Sequence, residues 1–345
     1  MFKSAGIKKG IEEFKIITDK LFYKKNENHY HLYADKLIVD RENYGFFSFD
    51  DYFGLNHKDS TDIINLVSGS KTTIPTTFFG MGYYDNNFIT SKNSIREGAG
   101  LYSSNYLICQ LFPFKELYEL PHRYYGSGDR FKNQYIQIQN ERKYIKSLSL
   151  LTGKYEWETN LENFGEIRKI LGVVENKLWV SLYRAGNEKN ETRLLALDIE
   201  SGKVIFELDH QYPISDWFIE LLEEDNSLLS IYSGIGTQAL DSPLVEIDAI
   251  TGKVLRSQRI ESLYNQNLKI GFWKVLENKI YFTANQDYLS GTHIGVLDYN
   301  TLELLWVTKV ENQKGGFKDF QVNHNNIYVL DQGNQLHIFE KTEKI

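Results

Sequence analysis

The chain has a single cysteine, Cys109, among its 345 residues. One thiol forms no intrachain disulfide, multi-cysteine metal site or vicinal-dithiol redox device, which suits a reducing compartment. No run of about 18 apolar residues occurs, the length a membrane-crossing helix needs. The first ten residues, Met1 to Gly10, carry charge but lead into no apolar stretch of the kind a secretion signal uses, and no lipid-attachment cysteine is near them. A cytoplasmic protein without membrane association is the expectation. Positive charge is also scarce: 39 Lys and Arg stand against 46 Asp and Glu, a net charge of -7. Nucleic-acid binding needs a basic stripe, so it is not expected. The acidic balance favours a cationic partner instead.

What the sequence does have is aromatic residues, at 14% with 23 Tyr and 21 Phe. Broad flat side chains pack well on a pleated surface, so the excess favours strands. The length allows a sizeable core.

The stretch Ala196-Leu197-Asp198-Ile199-Glu200-Ser201-Gly202-Lys203-Val204-Ile205-Phe206 recurs as Leu148-Ser149-Leu150-Leu151-Thr152-Gly153-Lys154-Tyr155-Glu156-Trp157. It recurs again around Asp248 to Arg256 and Asp298 to Trp306. Positions 149, 198, 248 and 298 are equivalent, and a fixed period near fifty marks repeated supersecondary units. Each copy reads as a hairpin: an apolar run, a polar turn, another short apolar run. Asp198 and Asp248 are placed to accept bonds from the turn's free N–H groups, and Gly202 and Gly252 to supply positive φ. A second hairpin precedes each one, with Asn-containing turns at Asn176, Asn226, Asn278 and Asn325-Asn326. Every unit thus has four strands.

Four-stranded antiparallel units at this period predict an all-β fold, a β-propeller, formed as a single domain over residues 1–345. Hairpin ends at Asp40, one degenerate unit between 50 and 120, 149, 198, 248, 298 and a last pair near 327–340 count to seven blades. The last unit stops after its third strand, and an open edge invites aggregation. An N-terminal strand over residues 11–18 is expected to close that blade. Ile11, Phe14, Ile17 and Leu21 also fit a short amphipathic helix over 11–22.

Ala196-Leu197-Asp198-x-x-Ser201-Gly202-Lys203 resembles the repeat of pyrroloquinoline-quinone-like propellers, in which A-x-D-x-x-T-G-K-x-x-W marks the outer hairpin of each blade. The likeness is clearest within residues 121–309. It implies that the terminal Trp docks between neighbouring blades. Trp157 and Trp306 match, Phe206 and Arg256 depart, and Leu302 stands where the glycine belongs, leaving Asn300 as the expected left-handed residue. The quinone-dependent enzymes of that superfamily use calcium and a cysteine pair, features this chain lacks, so no cofactor is expected and the likeness points to the non-catalytic branch. A lipid-anchored outer-membrane assembly role needs an anchoring cysteine and is not expected either.

Candidate chemistry is sparse. His29 and His31 share a strand face and could pair as metal ligands with a third such as His57, although surface or interblade histidines look the same. The Asp50-Asp51 pair and the Glu223-Glu224-Asp225 cluster could serve a glycosidase, but adjacent strand residues point to opposite faces and turns ordinarily carry charge. Gly234-Ile235-Gly236 lacks a following helix for phosphate, and Gly126-Ser127-Gly128 lacks the spacing of a nucleophile elbow. Neither is read as a site.

The loops separate by end. The turns joining first to second and third to outer strands are short and uniform. The loops at the other end are long, dissimilar and carry aromatic and charged residues, the make-up of an interaction surface. Tyr183, Arg184, Tyr212, Asp216, Trp217, Tyr264, Asp287 and Tyr288 are the candidate partner-binding residues; Trp217 and Trp273 equally suit packing of inner strands. The expected function is a non-enzymatic protein binder, of inhibitor or immunity type against a cationic protein. The alternative is a glycan-active hydrolase or lyase using the central channel.

Overall fold

A computed structural model describes residues 2–342 except 18, 26–28, 32–36, 41–44, 50, 58, 76–79, 85–86, 98–100, 111, 125–127, 140–141, 185–190, 209–211, 216–217, 232–242 and 287–290. Strands dominate, and among the described residues the helical element is the single turn Glu261–Tyr264. The burial of each strand follows its place in the sheet. Lys177–Arg184 is a second strand, and its Leu178, Trp179, Val180 and Leu182 are all buried because both faces of the sheet are covered. Val204–Glu207 is the outer strand of the same sheet and alternates half-buried Val204 and Phe206 with exposed Ile205 and Glu207.

Among the described residues the strands pair into eight four-stranded antiparallel sheets, seven of them sequential along the chain. These seven cover residues 11–40, 45–74, 80–124, 128–160, 166–207, 219–259 and 269–309. The eighth joins strands 317–322, 326–331 and 335–341 to Phe2–Lys9. This is a β-propeller of four-stranded antiparallel blades, but the seven-blade count is corrected. Residues 45–74 complete a whole sheet with loops of five residues or fewer, far short of the fifty-residue period. Leu37–Asp40 and Gly45–Phe49, expected to be one hairpin, are the outer strand of one sheet and the inner strand of the next.

The closing strand is also corrected. An N-terminal strand does complete the last sheet, but it is Phe2–Lys9, with Phe2 opposite Lys341 and Lys9 opposite Gln335. Ile11–Ile17 forms neither that strand nor a helix. It is an inner strand hairpinned to Lys20–Lys25, through a turn in which Asp19 has φ 59°. Side-chain chemistry accounts for the exchange. Ile11, Phe14 and Ile17 are buried as an inner strand requires, whereas in Phe2–Lys9 Phe2 alone is buried and most of the rest is exposed, as suits an outer strand facing water.

By packing, the chain forms two compact units: Met1–Glu42 with Ser230–Glu246 and Arg256–Ile345, and Asn43–Leu229 with Ile247–Leu255. In the second, inner strands of consecutive sheets lie side by side from Gly45–Phe49 to Ile219–Leu222, and Trp157, Ile167, Leu178, Val180 and Leu195 form a core between sheets. In the first, Lys269–Leu276 flanks Phe317–Val322, which flanks Ile11–Ile17. There Phe2 packs with its ring 5.4 Å from Trp306 and 6.1 Å from Tyr281, in a core with Val296 and Val329.

The recurring hairpin behaves as its chemistry suggests. Gly202 at φ 70° donates its N–H to the Asp198 carbonyl at 2.8 Å, and a Cβ there would lie 2.4 Å from the Trp157 ring. The expectation for the fourth copy is corrected: the left-handed residue is Leu302, at φ 58°, and not Asn300. The same bond, Leu302 N–H to the Asp298 carbonyl at 3.0 Å, fixes that position whichever residue occupies it. Arg256, rather than an indole, stands against this turn.

Candidate binding surface

At the turn end the carboxylates are committed. Asp198 Oδ1 accepts from the Ser201 hydroxyl at 2.6 Å and the Ser201 N–H at 2.8 Å. Asp248 Oδ1 accepts from the N–H groups of Ile250 and Thr251, and Asp298 Oδ1 from those of Asn300 and Thr301. These bonds favour the ionised form and hold all three below the usual carboxylate range, through the Ser201 hydroxyl first for Asp198, and the Thr251 and Thr301 N–H groups for the others. Their role is to cap turns. Glu223, Glu224 and Asp225 are exposed in a turn at the same end, as is Asp51.

Docking between neighbouring sheets also uses this end. Trp157 donates its indole N–H to the Ile199 carbonyl at 2.8 Å. Arg256, at the equivalent position two repeats on, donates to the Tyr299 carbonyl at 2.7 Å and to Glu246 at 2.6 Å. Phe206 has no donor to offer, and the carbonyl of Ala249, equivalent to Ile199 and Tyr299, instead receives the indole N–H of Trp179 at 3.0 Å. The departures from the repeat thus preserve the bond by other means.

The opposite end carries the candidate partner-binding residues. Tyr183 and Arg184 finish the second strand Lys177–Arg184, with Arg184 exposed and the Arg168 guanidinium 4.5 Å over the Tyr183 ring. Tyr212 is half-buried in the following outer-to-inner loop, where its carbonyl accepts from Ile214. These three belong to one compact unit. Tyr264 belongs to the other, on the helical turn Glu261–Tyr264, 40% exposed with Arg259 stacked 3.8 Å over its ring. Glu261 holds Arg259 in a two-pronged ion pair at 2.9 and 3.0 Å. Asp216, Trp217, Asp287 and Tyr288 lie outside the described residues. Trp273 is buried on its inner strand, the packing role.

Sequence reasoning missed a pocket at this end of the 269–309 sheet. It has a volume of about 510 Å³ and is lined by Gln266, Leu268, Gln286, His293, Val307, Thr308 and Lys309. The outer-to-inner loop supplies Gln266 and Leu268, and the second-to-third loop supplies Gln286. His293 and Lys309 meet as opposed residues of the third and outer strands. Burial, and then the nearby Lys309 charge, lower the His293 pKa, while its Nδ1 lies 2.8 Å from the Thr292 hydroxyl.

The remaining candidates that the structure describes take structural roles. His57 Nε2 lies 2.8 Å from Asp62, whose carboxyl burial pushes up but whose bonds to Lys71, Thr73 and His57 bring below its ordinary value. Among the described residues no group of three or more His, Cys, Asp or Glu is placed to hold a metal; the side chains of His29 and His31 lie outside them. Cys109 is buried, and burial pushes its thiol up to about 12, so it carries little thiolate. Gly234-Ile235-Gly236 falls outside the described residues, as do Gly126 and Ser127; Gly128 begins an inner strand. No helix among the described residues is long and apolar enough to cross a membrane.

No protein-family model matches the chain, and no curated protein matches it. Solved structures do. The C-terminal WD40 domain of Sif2 is 11% identical over 99% of both chains, with a TM-score of 0.61. BamB from Moraxella catarrhalis is 11% identical over 100% of this chain and 99% of its own, with a TM-score of 0.58. The computationally designed Ika8 protein is 12% identical over 96% of each chain, with a TM-score of 0.60. At such identities the likeness establishes the β-propeller fold, without selecting a branch of it.

Proposed function

We propose that the chain is a non-enzymatic protein-binding propeller that engages its partner through the end opposite the capped turns. The observation that carries this reading is the Arg259–Tyr264 stack. An exposed aromatic ring is held face-on by a guanidinium that Glu261 fixes in turn, so a large contact area is offered with little rotamer entropy left to lose. Arg184, in the other unit, is likewise exposed at the loop end of its own sheet. At the turn end, by contrast, Asp198, Asp248 and Asp298 are each spent on their own turn.

Within that reading, the net charge of -7 suits a cationic partner, and the protein is an inhibitor or immunity-type binder of the non-catalytic pyrroloquinoline-quinone-like branch. Affinity capture from native lysate with mass spectrometry tests it, using Tyr264→Ala and Arg184→Ala against the turn-end variant Lys203→Glu. The loop-end variants are expected to lose the captured protein and Lys203→Glu to keep it. The reverse pattern overturns the reading. No captured protein, with turnover in a glycan screen, replaces it with the hydrolase or lyase alternative.

A further inference from the structure

The pocket of the 269–309 sheet has a donor-rich lining that neither turn capping nor sheet pairing uses. Lys309 is exposed, and among the described residues its ammonium has no ion-pair partner. Among the described residues the side-chain amides of Gln266 and Gln286 make no hydrogen bond, and His293 is engaged through Nδ1 with no partner at Nε2. Thr308 adds a hydroxyl, while Leu268 and Val307 give one apolar edge. Among the described residues the lining holds a cation, two amides, an imidazole and a hydroxyl, and no carboxylate. Its volume of about 510 Å³ falls in the range of small-molecule sites.

We propose that this pocket binds a small hydroxylated ligand carrying one anionic group, a phosphate or carboxylate, of the class of sugar phosphates and sugar acids. Lys309 supplies the point charge that such an anion takes. The amides of Gln266 and Gln286 each donate and accept, the pairing that hydroxyl groups need, and His293 Nε2 adds a further polar contact. Leu268 and Val307 face the C–H surface of the ligand. An anion beside His293 also offsets the Lys309 charge, which now works against imidazole protonation. The proposal goes beyond protein binding and stands whether or not a partner protein exists, since it rests on a different set of side chains.

Calorimetric titration of the full chain with glucose 6-phosphate, glucuronate, glucose and inorganic phosphate tests it, with the His293 ring resonance followed by NMR. At least one charged sugar is expected to bind about tenfold or more tighter than glucose and to shift the His293 signal; which one binds separates phosphate from carboxylate. Lys309→Met is expected to weaken that binding by about tenfold or more, and Lys203→Met to leave it unchanged. Lys309 is exposed, so its replacement spares the core, and an unchanged melting curve verifies this. Glucose binding as tightly as its charged derivatives, inorganic phosphate binding alone, no binding of any probe, or full affinity in Lys309→Met each overturns the proposal.

Discussion

Arg256 makes through its guanidinium the contact that Trp157 makes through its indole: each donates to the carbonyl that follows the capping aspartate of the next hairpin, Tyr299 for Arg256 and Ile199 for Trp157. Cation and aromatic are interchangeable here because the acceptor is backbone. The cost of losing each donor should nonetheless differ. Trp157→Phe keeps a smaller aromatic ring and drops the bond, and is expected to cost about 1–3 kcal/mol; Trp157→Ala opens a larger cavity and is expected to cost about 3–5 kcal/mol. Urea denaturation of the two variants measures the split.

Removing Arg256 leaves more behind. Its guanidinium binds Glu246 at 2.6 Å and lies 4.5 Å over the Tyr299 ring, while the Tyr299 hydroxyl donates to the same carboxylate at 2.5 Å. Arg256→Met is expected to destabilise by roughly 1.5–3 kcal/mol, because the buried Glu246 carboxylate loses its counter-charge. The double variant with Glu246→Gln should recover part of that loss. A double-mutant cycle read by denaturant midpoints checks the coupling.

The turn caps set an acid limit. Asp198, Asp248 and Asp298 have folded pKa values below their unfolded ones, so their stabilisation is fully present above about pH 4, the ordinary carboxylate value, and is lost as pH falls through the folded values. Asparagine at all three positions keeps an acceptor oxygen but removes the titration. The triple Asn variant should show a shallower fall in urea midpoint between pH 5 and pH 2 than the native chain.

Closure by Phe2–Lys9 rather than by residues 11–18 has its own test. Phe2 packs against Tyr281 and Trp306, and Phe2→Ala is expected to cost about 3–5 kcal/mol. Lys3→Ala, on the exposed side of the same strand, should fall within about 0.5 kcal/mol of the native chain. Thermal melts distinguish the pair.

The repeat was legible where its punctuation was. An Asp cap and a Gly four residues later mark the hairpins at 198 and 248, while the copies at 149 and 298 keep one mark each, Gly153 and Asp298; the turn's hydrogen bonds favour those residue types. The first third has no such marks. The sheet over 45–74 is too short for the period, and the closing strand Phe2–Lys9 shows little apolar periodicity because only Phe2 is buried. Leu302 broke the pattern at a position set by a backbone bond rather than by the residue. At the loop end the sequence pointed to Tyr264 and Arg184 through loop composition. The pocket stayed hidden because His293 and Lys309, sixteen residues apart, meet only through strand register.

The most direct test of partner binding at the loop end is hydrogen exchange of the chain with and without its bound partner. Protection is predicted at 183–184, 212–214 and 261–268, with exchange unchanged at the capped turns 199–203, 249–253 and 299–303. Protection confined to those turns, with 261–268 exchanging as in the free chain, would contradict it.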